Sequence, residues 1–336
     1  MMKVGELREK LANYKKEELI KIAAEFYKQL PKAKKEALQN LIENPAAKPT
    51  SVRKAGLTLA ELKDETEVFI LNAKEGNYIK PNQMVPKKDR SKWRFLVKQL
   101  YKALSKHNRP DKDLGLQVQL LSGLYGVLCQ AESLSYFTTQ SPFNSVGINK
   151  DQFFESILFL IELNEGKAAV VDKGIDLMYA HSFGGYSEYK SLQAAFEEFL
   201  TIPDLKYQAI EKATQLLKIN GFAPPKKNAK KSYYSYKREG KIKENKNNNL
   251  TTLGFAMHLS LFEYDEAIAF FHQHYYADQE DVKLYVLVKL LFDAGLKDQI
   301  KQQVKQAVKR GVQPRPRVMD LLKIILNDDE LPIYFS

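Results

Sequence analysis

Two stretches of the sequence combine residue types that could bind a nucleic acid, and one of them spans residues 222–249. It holds Tyr233, Tyr234 and Tyr236, and only two acidic residues. Its nine cationic residues are Lys226, Lys227, Lys230, Lys231, Lys237, Arg238, Lys241, Lys243 and Lys246. Lysine and arginine can neutralise phosphates, and tyrosine rings can stack on unpaired bases. We therefore predict a disordered tether for nucleic acid, with RNA or single strands favoured. The alternative is a flexible linker whose lysines serve solubility.

The second stretch, residues 84–113, contains ten basic and three acidic residues. Its apolar residues recur at helical spacing and predict one stripe along a helix: Trp93, Leu96, Val97, Leu100 and Leu104. Basic residues occupy the other sides of this helix or precede it; the candidate phosphate ligands are Lys87, Lys88, Arg90, Lys92, Arg94, Lys98 and Lys102. We predict that the stripe docks on the protein while the polar face contacts phosphates. The alternative is a solvated helix face.

One hexapeptide, residues 180–185 (AHSFGG), has a serine between small residues. It is similar to the nucleophile elbow of lipases and other α/β-hydrolases. That resemblance implies Ser182 as a nucleophile, with His258, His272 or His274 as its base. The elbow needs a buried strand before the serine, whereas residues 168–180 carry charges and are typical of a helix. We interpret the segment as a helix that ends at His181 with Gly184 as its cap, and we expect no catalytic residue.

The other candidate ligands of a metal or cofactor do not converge. His272 and His274 are two positions apart, so they point to different sides of a helix. The single cysteine, Cys129, lies in an apolar run and is predicted to be a buried, inert thiol. No CxxC, HExxH, Walker or GxGxxG motif with the required context is present. We therefore predict no metal and no cofactor.

The composition is that of a basic globular protein. The 336 residues are 44% hydrophobic and 28% charged, and the net charge is +11. The basic stretches bracket an acidic block, residues 114–221, with seven basic and twelve acidic residues. One cysteine cannot form an intramolecular disulfide, which fits a reducing compartment. No hydrophobic signal core opens the chain, and we expect no apolar run that approaches the ~18 residues of a membrane span. We expect a cytoplasmic protein without a membrane segment.

The pattern predicts an all-α fold, an irregular superhelical array of helices, because apolar residues recur at helical spacing and sustained alternation is absent. Breaks at residues 44–50 and around the basic stretch suggest four parts. These are an N-terminal helical hairpin (1–45), a helical domain (51–221), the basic disordered linker (222–249) and a C-terminal helical region (250–336).

Parts of the chain resemble known helical modules. In the last quarter, Tyr264 to Ile268 and the later Ala294-Gly295, Gly311 and Pro314 are similar to tetratricopeptide and pentatricopeptide repeats. Placing Glu266 over Asp298 and Ile268 over Ile300 gives an offset close to the ~34 residues of such repeats. The N-terminal leucine spacing resembles SAP-type modules, which often bind nucleic acid. Because no motif in the sequence identifies a reaction, we expect a non-enzymatic interaction protein.

The sequence thus favours a protein that binds nucleic acid, or an acidic protein, through residues 84–113 and 222–249. The alternatives are a protein–protein scaffold that uses the helical array and a serine hydrolase that uses Ser182.

Overall fold

The computed structural model describes residues 6, 10–29, 35, 58–106, 113–181, 186–221, 233–327, 331–332 and 334–335. For residues 186–188 and 233–238 it describes the backbone only. Within this part of the chain the regular elements are helices and no strand is present, which confirms the predicted all-α class. The chain forms two compact units, Met1–Gly56 and Leu57–Ser336.

The first unit contains α1 (Lys16–Gln29), none of whose residues is buried. Its Leu19 and Ile22, predicted to share an apolar face, are half-buried, while Phe26 is 57% exposed. The other helices of the predicted N-terminal hairpin fall largely outside the described residues.

The second unit is a succession of helices. The first nine are α2 (Leu59–Lys74), α3 (Lys87–Arg90), α4 (Trp93–Leu104), α5 (Leu114–Ala131), α6 (Pro142–Val146), α7 (Lys150–Glu165), α8 (Lys167–His181), α9 (Tyr186–Glu197) and α10 (Pro203–Asn220). The rest are α11 (Tyr233–Ser260), α12 (Tyr264–His274), α13 (Glu280–Asp293), α14 (Lys297–Lys309) and α15 (Pro316–Leu326).

Local signals in the sequence set many of these boundaries. Thr58 and Glu61 form the predicted capping box at the start of α2, in which the Glu61 amide donates to Thr58 Oγ1 and the Thr58 amide donates to the Glu61 carboxylate. Pro203 opens α10. Gly295 and Gly311 adopt left-handed φ angles of 72° and 83° after α13 and α14, as predicted for C-terminal caps.

The central helix of the larger core is α5, which packs against α2, α4, α7 and α8. By length and composition alone α5 could cross a membrane, a test that the core helices of soluble proteins also pass. The expectation that no apolar segment reaches this length is therefore wrong: uncharged Gln and Ser residues interrupt the run without lowering its mean hydropathy below 1.2. In the structure, 67% of this segment is buried inside the fold.

The main departure from the sequence prediction is α11, which includes residues 233–249, a segment predicted to be disordered. Two asparagines near the end of this segment, Asn247 and Asn248, are held by tertiary contacts. Asn247 is fully buried and its amide donates to the Gly221 carbonyl at 3.0 Å, while Asn248 exchanges two hydrogen bonds with the backbone of Tyr276. These tertiary bonds hold the two asparagines in a helix despite their weak helix propensity, although the buried Asn247 Oδ1 has no hydrogen-bond partner among the described residues.

Helix α11 runs without a break across residue 250, where the sequence predicted a boundary between two parts. Leu250 and Leu253 belong to the larger core, whereas Phe255 belongs to a second core formed with α12 to α15. One continuous helix therefore contributes to both cores.

The C-terminal helices pack as neighbours along the chain, α11 with α12, then α13 with α14, then α14 with α15. Glu266 and Asp298 lie in the first turns of α12 and α14, and Ile268 and Ile300 are buried. The relation to tetratricopeptide or pentatricopeptide repeats stays a prediction.

The turn between α11 and α12 contains a strained residue. Phe262 has a φ of 63°, the positive value that costs a residue with a side chain roughly 1–2 kcal/mol. Its side chain is 78% exposed. Glu263 holds the turn, since its carboxylate accepts a hydrogen bond from the Tyr207 hydroxyl and contacts His258 Nδ1 at 2.8 Å.

Candidate nucleic-acid interface

Helix α4 presents its two sides differently, as the spacing of residues 84–113 predicts. Val97, Leu100 and Leu104 are fully buried and Trp93 is nearly so. The buried stripe packs against α2, α5 and α6. Burial of this stripe fixes which side of the helix faces solvent.

The outward side of α4 carries only positive charge. Arg94, Lys98 and Lys102 recur every four residues, and Lys106 follows just beyond the helix; all four are exposed. The helix contains no acidic residue, and within the described residues none of the four forms an ion pair. We call Arg94, Lys98, Lys102 and Lys106 the basic face. Four cations without nearby carboxylates on their own helix leave a surface that can neutralise phosphates.

Two other predicted phosphate ligands before α4, Arg90 and Lys92, make contacts within the chain. Arg90 donates from its guanidinium to the Val85 carbonyl at 3.1 Å and to the Asn82 carbonyl at 3.3 Å, so it fixes the loop before α3. Lys92 forms an ion pair with Asp89 at 2.7 Å, and this hydrogen bond lowers the pKa of the Asp89 carboxyl. Lys87 and Lys88 are exposed on α3.

The sequence interpretation missed Phe95. This side chain is 63% exposed although it is aromatic, and the Arg94 guanidinium carbon lies 5.2 Å from its ring centroid. The helical spacing of the sequence does predict an exposed Phe95, because this residue falls outside the apolar stripe that defines the buried side of the helix. The basic face therefore includes an aromatic ring beside its first cation.

The second basic stretch is only partly described. Lys226, Lys227, Lys230 and Lys231 lie outside the described residues. For Tyr233, Tyr234, Tyr236, Lys237 and Arg238 the structure gives a helical backbone and no side-chain position.

Two later lysines of this stretch make intramolecular contacts. Lys241 pairs with Glu244. Lys246 donates to the Ala180 carbonyl at 2.9 Å and lies 5.2 Å from the centroid of the Tyr179 ring. Burial lowers the pKa of Lys246. The Lys246 contacts link α11 to the end of α8, whereas the Lys241 pair lies within α11.

The two basic stretches pack against different neighbours. Helix α4 packs on α2, α5 and α6, whereas α11 packs on α9, α10 and α12. The described parts of the two stretches therefore pack on different groups of helices, and the candidate interface is the exposed side of α4.

A buried polar cluster lies where α8 ends on α5. The Tyr125 and His181 rings meet edge to face with centroids 5.9 Å apart. Gly126 permits the approach, because a Cβ there would lie 2.8 Å from His181 Cε1. Burial raises the pKa of the Cys129 thiol to about 12, so Cys129 is protonated at neutral pH, as expected of an inert thiol. Nearby, Lys150 pairs with Glu132 at 2.7 Å.

His181 should make the protein sensitive to acid. Burial, together with Lys246 and Lys150, lowers its pKa from 6.5 to about 4. The neutral form is favoured on folding, so the stabilisation is complete above pH ~6.5 and is lost as the pH falls from there through ~4. Between pH ~7 and ~4.5 we expect a loss of about 2 kcal/mol from this residue.

Urea unfolding of the wild type and of His181→Asn at both pH values isolates that effect. The wild type should lose more stability than the variant, since other titrating groups are common to both. Identical pH dependences would show that His181 does not contribute.

The context of Ser182 differs from that of a nucleophile elbow. Ser182 itself lies outside the described residues, as does Gly184, but the preceding element is the helix α8, which ends at His181. His258 contacts Glu263, His272 Nε2 contacts Gln303 Oε1 at 2.9 Å, and His274 is buried against Phe270. The strand that precedes the serine in α/β-hydrolases is replaced here by a helix.

Within the described part of the chain, no group of three or more His, Cys, Asp or Glu side chains could hold a metal ion. Comparison with protein-family models, curated proteins and solved structures found no match to this chain.

Proposed function

We propose that this protein is a non-enzymatic nucleic-acid-binding protein and that the basic face of α4 contacts the phosphate backbone. The observation that carries the proposal is the arrangement of Arg94, Lys98, Lys102 and Lys106. All four cations are exposed; the first three lie along one helix that has no acidic residue, and Lys106 follows just beyond its end. The buried stripe on the opposite side holds the helix in place, so the cations are presented on a rigid element.

The expected affinity follows from counterion release. A protein that neutralises phosphates of a single strand shows a slope of about −0.7 per phosphate in log K against log salt. Four contacts would give a slope of about −3. Lys87 and Lys88, exposed on α3, would steepen the slope if they also reach phosphates.

The experiment is a titration of labelled single-stranded RNA and of duplex DNA with the full-length protein over a series of salt concentrations. We expect micromolar or tighter binding at low salt and a steep loss of affinity as salt rises. Millimolar affinity at low salt, or a flat salt dependence, would contradict the proposal.

Protein binding is a second candidate function, and the turn at Phe262 favours it. An aromatic side chain that is 78% exposed is held there in a strained backbone conformation, flanked by exposed Asp265 and Glu266. Strained residues persist where the surrounding structure fixes them, often at binding sites. A partner would offer an apolar pocket bordered by basic residues. This candidate takes precedence if neither nucleic acid binds.

A further inference from the structure

We infer that the basic face selects single strands because Phe95 provides a stacking surface for an unpaired base. This inference rests on the proposed function and identifies the ligand of the same site. The inference rests on Phe95, which is uncharged and neutralises no phosphate. A surface that binds nucleic acid by charge alone would not need this residue.

The Phe95 ring lies on the same side of α4 as two cations of the basic face. On α4, successive side chains are about 100° apart, so Phe95 projects on the same side as Lys98 and Lys102. Lys98 is three residues further along, about 4.5 Å of helix rise, and Lys102 is about 10.5 Å away. A nucleotide whose base lies on Phe95 therefore has two lysines within reach of the adjacent phosphates.

The Phe95 ring is exposed to solvent and lies near a cation. Its side chain is 63% exposed, so much of the ring meets solvent rather than protein. The Arg94 guanidinium carbon lies 5.2 Å from the ring centroid, a distance at which a cation is attracted to an aromatic face. A base that stacks on the ring would share this environment, because the guanidinium can also contact the base or its phosphate.

Single-stranded and duplex nucleic acids differ in whether their base faces are free to stack on the Phe95 ring. In a duplex the bases are paired and stacked on each other, so their faces are closed to a side chain that lies outside the helix. In a single strand every base has a free face, and stacking on an aromatic ring tolerates any sequence. Phosphate contacts from lysine are available in both. Phe95 should therefore add affinity only for the single strand.

The test compares four full-length proteins: the wild type, Phe95→Ala, Phe95→Trp and the control Phe262→Ala. The control removes another exposed phenylalanine, one that lies beside acidic residues. The probes are a labelled polyuridine RNA and a labelled RNA duplex at the same low salt concentration. Loss of one stacked base corresponds to about 5- to 150-fold weaker binding.

We expect Phe95→Ala to bind polyuridine weaker by that factor and to bind the duplex within about twofold of the wild type. Phe95→Trp should retain polyuridine binding, and Phe262→Ala should match the wild type. The new tryptophan supplies a direct signal, since the only other one, Trp93, is buried. Its fluorescence should be quenched by polyuridine and not by the duplex.

Two results would overturn the inference while leaving the proposed function intact. One is unchanged polyuridine binding by Phe95→Ala, and the other is an equal loss for single strand and duplex. Failure of the wild type to bind either RNA would instead remove the proposed function and this inference with it.

Discussion

A Lys150→Met variant is expected to lose about 3 kcal/mol of unfolding free energy. Lys150 pairs with Glu132 at 2.7 Å, and their side chains are only 10% and 23% exposed. The Lys150 ammonium also lies 5.7 Å from the centroid of the Phe143 ring. Removing one partner of a buried ion pair leaves an uncompensated charge beside the core, which typically costs 3–5 kcal/mol. The partial exposure of Glu132 places our value at the lower end.

Urea unfolding monitored by circular dichroism measures this loss, with two further variants beside it. Lys150→Met combined with Glu132→Met removes both charges and should recover most of the stability. Lys323→Met removes one partner of an exposed pair, whose side chains are 71% and 68% exposed, and should cost under about 1 kcal/mol. If Lys150→Met costs no more than Lys323→Met, the pair does not stabilise the fold.

The helices that the sequence predicted well have both a periodic apolar side and a recognisable end. In the predicted stripe of α4, four of the five residues are buried as expected and Leu96 is half-buried. The capping box at Thr58, Pro203 at the start of α10 and Gly295 after α13 mark boundaries in the sequence because each has a local physical cause.

Helix α11 was missed because its order depends on partners that are distant in the sequence. Residues 233–249 are polar and have no apolar periodicity, which alone indicates a linker. Asn247 is paired with Gly221 and Asn248 with Tyr276, contacts that arise only after α10 and α12 are in place. Local composition does not contain that information.

For the candidate site, the sequence predicted which residues are charged but not which of them are exposed and which are bound within the fold. Arg90 and Arg94 look equivalent in the sequence, yet Arg90 binds two backbone carbonyls while Arg94 is exposed beside Phe95. Arg90 is bound because the loop before α3 places two carbonyl groups within its reach. Phe95 was detectable, since an aromatic residue off the apolar stripe is an exception to the helical pattern.

The largest effect on binding should come from removing the basic face. We expect a variant with Arg94, Lys98, Lys102 and Lys106 each replaced by Gln to bind single-stranded RNA on the order of 100-fold more weakly at about 0.15 M salt. The reason is that each phosphate contact releases counterions, and four contacts contribute about 2 units to log K at that salt concentration. These side chains are exposed and outside the core, so the variant should fold normally.

The matched control removes four exposed cations on or next to α14 and α15, where no phosphate contact is proposed. The variant replaces Lys305, Lys309, Arg310 and Arg317 with Gln. This variant lowers the net charge by the same amount as the α4 variant. A difference in RNA affinity between the two variants therefore reports the position of the charges and not the net charge. Its affinity for RNA should fall only slightly.

The measurement that tests the central claim most directly is the slope of log K against log salt for these two variants and the wild type, with single-stranded RNA as the ligand. If the basic face of α4 binds phosphates, the slope of the α4 variant should be smaller in magnitude than that of the wild type by about 3, and the control should keep the wild-type slope. Equal slopes for the two variants would show that only total charge matters and would contradict the assignment of the interface to α4.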